Sequence, residues 1–141
     1  MNYLLTCLEL KSKKDANFLG TGKVNAFKCY KSLVNNMPDS TIYYGNKALA
    51  IYREHNDTSY LINLHSKLAT FFYILGSTDS AESHYFNGLY YAMYKKDSAH
   101  TQIFASNLGT MAFKKAYFDL VSQYFDKALK VILHSLKTKP S

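Results

Sequence analysis

The chain has 141 residues, of which 48% are hydrophobic and 19% charged, with only six Gly and two Pro. That composition excludes a disordered chain and leaves no room for a second domain or for long loops. The net charge of +7 rests on lysines apart from Arg53, and lysine is a hydrated point charge rather than the planar fork that reads guanine or clamps phosphate.

In chain order, the opening MNYLLTCLEL has neither the basic start nor the small-residue cleavage site of a secretory leader, and Glu9 interrupts it. It reads as a leading helix over residues 1–14, with Leu4, Leu5 and Leu8 in need of a partner surface. Two lone cysteines, Cys7 and Cys29, are too few for a disulfide framework and are expected as small buried apolar side chains. With no leader they favour a cytoplasmic location. Lys11, Lys13, Lys14, Lys23, Lys28 and Lys31 face only Glu9 and Asp15 in the first 36 residues. Nucleic-acid or anionic-surface binding through this basic end is the alternative functional reading. A nucleic-acid partner is the less favoured one, given the shortage of arginine.

The next element introduces a repeat. DSTIYYGNKAL at 39–49 returns as DSAESHYFNGL at 79–89, 40 residues later. Shifting residues 67–89 by a further 40 lands on 107–129, where Leu68 meets Leu108, Ala69 meets Gly109, Asp79 meets Asp119, Tyr85 meets Phe125 and Leu89 meets Leu129. Ala81, Tyr85, Gly88, Leu89 and Ala92 correspond to Val121, Phe125, Ala128, Leu129 and Ile132. These steps of 4, 7, 8 and 11 are those of one buried helical stripe. Gly76 offers a permissive backbone for leaving a helix, and Ser77 to Ser80 offer oxygens to cap the next one. Asp57 and Asp97, again 40 apart, are placed to cap the helices after the breaks between units. Each unit is thus expected to be a helical hairpin: repeat 1 over 16–55, repeat 2 over 57–96, repeat 3 over 97–137, and a tail over 138–141. Gly20 and Gly22 are expected to fray the first helix of repeat 1.

The chain resembles the tetratricopeptide repeat family. The residues that carry the resemblance are LATFF and LGTMA in the first helices, followed by Ala81 with Tyr85 and Val121 with Phe125 in the second helices. His65 and Ala105 stand where the family pattern begins with Trp, and no unit ends in Pro. The 40-residue period exceeds the family's roughly 34 residues and is similar to the extended repeats of bacterial regulatory and sensory modules. The resemblance implies an all-α, right-handed α-solenoid that binds a protein or peptide partner and is not an enzyme. It also implies a concave binding face built from the first helices: Asn63, Ser66, Thr70 and Tyr73 in the second unit, and Ile103, Ser106, Thr110 and Phe113 in the third. Tyr30 belongs to the corresponding face of the first unit, beside Lys23, Ala26 and Leu33. Relatives that grip a carboxylate use Lys or Arg with Asn on this face, and Ser and Thr here disfavour that mode.

Leu120, Tyr124 and Val131 lie on another side of the last helix, where an independent solenoid places a polar cap. They are expected to drive homodimerisation or end-to-end packing. No catalytic constellation is legible. The five histidines include no pair at i and i+4, GTGK at 20–23 lacks the spacing of a phosphate loop, and neither cysteine neighbours a histidine. No cofactor and no metal are expected.

Overall fold

The computed structural model describes residues 3–139. Residues 1 and 2 of the leading helix, the Leu5 side chain, and 140–141 of the expected tail lie outside the described residues. The fold is all-α, with no strand among the described residues. Its helices are α1 (Tyr3–Val34), α2 (Pro38–Glu54), α3 (Thr58–Ile74), α4 (Thr78–Lys95) and α5 (Ser98–Lys137). The chain divides into two units, residues 1–105 and 106–141.

The turns obey a twenty-residue ruler. Asn36, Asn56, Gly76 and Lys96 all take a left-handed backbone, with φ of 54°, 51°, 78° and 59°. At each turn the following residue's N–H reaches back five positions at 2.9 Å, from Met37 to Ser32, Asp57 to Tyr52, Ser77 to Phe72 and Asp97 to Ala92. This is the Schellman closure, which satisfies carbonyls that a helix end would otherwise orphan. A polar or rigid residue then restarts the helix. Asp57 accepts the Tyr60 N–H at 3.4 Å, and Asp97 accepts the His100 N–H at 3.1 Å, so both expected aspartate caps form. Pro38 sits at the start of α2, where its missing N–H costs nothing. Ser77 occupies the cap position of α4 without a side-chain cap bond.

Within the first unit, α1 packs on α2, α2 on α3 and α3 on α4. The core joins Ala26 and Cys29 of α1 to Ala48, Leu49 and Tyr52 of α2 and to Leu61, Leu64 and Leu68 of α3. Close approach needs small residues at the crossings. A Cβ on Gly45 would stand 3.0 Å from a Leu68 methyl, and one on Gly22 would stand 2.9 Å from both Ile51 and Tyr52. The Cys29 thiol donates to the Thr41 carbonyl at 3.3 Å. Burial pushes it up to about 11, so it stays an inert thiol. Further along, the buried ring of Phe104 lies against Gly88 and meets Tyr85 edge-on at 6.2 Å.

Several expectations need correction. The leading helix and the first helix of repeat 1 are one element, because Ala16, twenty residues before Asn36, is a strong helix former that disfavours the left-handed backbone a turn needs there, even with Asn17 after it. Gly22 does not fray that helix; it is buried, and its missing side chain lets α1 lie against α2. The third unit is likewise no hairpin, since α5 runs for 40 residues straight through Ala116, the next mark on the ruler. Ala favours the helix where Gly76 permits a left-handed turn, and Tyr117 and Phe118 stand where Ser77 and Thr78 restart α4. In consequence Phe125, Leu129 and Ile132, expected as a core stripe, are exposed. Cys7 is exposed too, unlike Cys29.

Candidate functional site

The first unit carries a groove where the last turns of α1 meet α3. Tyr30, Leu33, Val34 and Asn36 form one wall and Ser66, Lys67, Thr70, Phe71, Ile74 and Leu75 the other, around ≈ 480 Å³. The Schellman turn at Asn36 and the one at Gly76 end both helices at comparable points, which leaves Val34 and Ile74 projecting as apolar rims, 81% and 76% exposed. The floor is firmer, because Phe71 is buried in α3. A wider hollow beside Leu8, Glu9, Ser12 and Lys13 is bounded by α1 alone, so it offers a ligand no facing wall.

The polar groups of the groove have defined states. Burial, with the Cys29 side chain beside it, holds the Tyr30 phenol above the usual tyrosine range, so its hydroxyl keeps its proton and can donate. The Lys67 ammonium lies 5.2 Å from the centre of the Tyr30 ring, a cation–π contact that spans the groove. Thr70 donates its hydroxyl to the Ser66 carbonyl at 3.0 Å, one turn back, and Thr110 does the same to Ser106 at 3.0 Å. Each threonine therefore spends its proton within its own helix and presents its oxygen lone pair as an acceptor.

Of the residues expected on a concave face, Tyr30, Ser66 and Thr70 are brought together in this groove. Asn63 is exposed one turn earlier on α3, and Tyr73 is half-buried outside the lining. Ile103 is exposed on α5 in the first unit, while Ser106, Thr110 and Phe113 are exposed on α5 in the second. Ala26 is a core residue rather than a surface one. Leu120, Tyr124 and Val131 are exposed, on the same helix as Ser106, Thr110 and Phe113.

A histidine pair, one ring buried and the other half-buried, was not legible in the sequence. His65, fully buried in α3, sets its Nδ1 3.0 Å from the Nδ1 of His84 in α4, so one ring donates and the other accepts. Phe72 stacks on His84 at 5.3 Å, and Tyr91 stacks on His65 at 5.8 Å. The Nε2 of His65 is buried without a partner. Burial first, then the neighbouring His84 and Arg53, holds His65 down at about 3 and lowers His84 as well, so both rings are neutral at pH 7. Residues 19 positions apart meet because the Gly76 turn folds α4 back on α3. Among the described residues, no cluster of three His, Cys, Asp or Glu side chains is placed to hold a metal ion. No helix of the described residues is long and apolar enough to cross a membrane.

No family model, curated protein or solved structure matches the chain.

Proposed function

We propose that the chain is a non-enzymatic protein- or peptide-binding scaffold whose helical hairpins stack as a right-handed tetratricopeptide-like solenoid, used as a sensory or interaction module of a larger bacterial regulatory protein. The observation that carries this reading is the groove between α1 and α3, where Tyr30, Ser66 and Thr70 converge beside Leu33, Val34, Phe71 and Ile74. Its volume of ≈ 480 Å³ is that of a site for a few side chains. Apolar rims and a handful of polar groups suit a peptide that anchors one or two apolar residues and leaves its backbone N–H groups to the threonine and serine oxygens. The lysine-based alternative has less support. Lys23 and Lys28 lie over the rings of Tyr60 and Tyr44 at 5.1 and 5.3 Å, which ties part of the basic end to the surface of the fold.

Panning a random peptide display library against the immobilised chain tests the reading. Selected peptides should carry an apolar anchor, bind with little dependence on salt, and lose at least about tenfold in affinity against Thr70→Arg, about 1.4 kcal/mol. Peptides that bind Thr70→Arg unchanged would remove the groove from the account. Steeply salt-dependent binding to arbitrary DNA, with no peptide selected, would favour the lysine surface instead.

A further inference from the structure

Because α5 does not turn at Ala116, two faces that the repeat would have separated become one line. From Ser106, steps of 4, 3, 4, 3, 4, 3 and 4 lead through Thr110, Phe113, Tyr117, Leu120, Tyr124 and Lys127 to Val131. Alternating steps of three and four keep a stripe facing one partner along the whole length of a helix, as in a coiled coil. We propose that this seam of the second unit pairs in antiparallel with the same seam of a second copy of the chain. The proposal stands independently of the groove in the first unit.

Exposure and symmetry carry it. Phe113, Tyr117, Leu120, Tyr124 and Val131 are all more than half exposed. Three aromatic rings still 71%, 56% and 63% exposed, with Leu120 and Val131 beside them, offer a large share of the roughly 800 Å² per partner of a standard stable interface. The occupant is a second copy because the spacing of the seam is the same from both ends about a point between Phe118 and Asp119, with its large apolar side chains at the four central positions. Antiparallel pairing sets Tyr117 against Leu120, Phe113 against Tyr124, and Thr110 against Lys127. Apolar side chains face one another at the four central positions, and the one charge on the line faces a hydroxyl. Parallel pairing would instead set Lys127 against Lys127, two like charges facing each other near the end of the contact. The antiparallel arrangement is an isologous two-fold contact, which closes on itself rather than propagating.

Sedimentation equilibrium of the full chain, with cysteine cross-linking, tests the proposal. The chain should be a dimer, and Leu120→Lys combined with Tyr124→Lys should make it monomeric with unchanged far-ultraviolet circular dichroism and unchanged peptide binding by the first unit. In a Cys7→Ser background, a mixture of Thr110→Cys and Lys127→Cys chains should form a disulfide-linked dimer that neither forms alone. These single substitutions leave the apolar seam whole, so the pattern can be read even if the double lysine variant unfolds. A chain that stays monomeric at concentrations on the order of 100 μM overturns the proposal. So does cross-linking of Lys127→Cys with itself, which would show parallel pairing, or a dimer that survives the double lysine substitution in folded form.

Discussion

The hairpin of α3 and α4 and the single helix α5 are written in the same 40-residue phrase and fold differently. Leu68 and Leu108 stand at equivalent positions, yet Leu68 is 2% exposed and Leu108 is half-buried. Tyr85 is 4% exposed in α4, and its counterpart Phe125 is 72% exposed in α5. The apolar pattern therefore does not decide where the chain doubles back. Turn chemistry does: Gly76 with Ser77 and Thr78 reverses the chain, and Ala116 with Tyr117 and Phe118 carries it on. The upstream end teaches the same lesson, because Ala16 lies twenty residues before Asn36 and α1 passes through it.

The largest test of this contrast is truncation at the two equivalent leucines. Leu68→Ala should cost about 2–5 kcal/mol, because it empties a site packed between α1, α2 and α3. Leu108→Ala should cost about 1 kcal/mol or less, since that side chain is already partly in water. Urea unfolding of both variants reads the difference, and equal large losses would mean that the third unit is closed like the second.

The histidine pair gives a pH test confined to the α3–α4 hairpin. His65 has a folded-state value of about 3 against about 6.5 unfolded, so the unfolded chain takes up the proton first. Its contribution is intact above pH 6.5 and is lost as the pH falls from there toward 3. By pH 5 the loss from this group should be about 2 kcal/mol. His65→Phe should flatten stability between pH 7 and 5, and a variant with the parent's slope would assign the acid loss to other groups.

Glycine substitutions should have the smallest effects, and opposite signs. Gly76→Ala forces a left-handed alanine and should cost about 1–2 kcal/mol. Gly109→Ala meets nothing within 4 Å and lies inside α5, so it should gain up to about 1 kcal/mol from helix propensity. A loss at Gly109 would show that something packs closely on α5 there.

Much of the fold was legible because its signals are local. The 40-residue echo, the Asp57 and Asp97 caps and the Gly76 turn each state a helix boundary within a few residues. At the third unit the echo of apolar residues outweighed the missing turn residues, and the expected hairpin was wrong. Asn36, Asn56 and Lys96 hid the ruler, because a left-handed residue other than glycine carries only a weak sequence signal. Of the candidate groove, Tyr30, Ser66 and Thr70 were named through the resemblance to the repeat family, which puts them on one face of the first helices. Leu33 was expected on that face as well, but Val34, Ile74 and Leu75, the rest of the apolar wall, were not, because nothing local in the sequence brings the ends of α1 and α3 side by side.

The central claim, that Ala116 continues the helix its repeat would have broken, is most directly tested by one distance. Spin labels at Ser106→Cys and Asp126→Cys, in a Cys7→Ser chain diluted with unlabelled protein, report the span across Ala116 within one molecule. A continuous helix places positions 20 residues apart at about 30 Å, from a rise of roughly 1.5 Å per residue. A hairpin like that of α3 and α4 would bring them to about 10 Å, the spacing of packed helices. A distribution centred near 30 Å is the predicted result, and one centred near 10 Å would contradict the account.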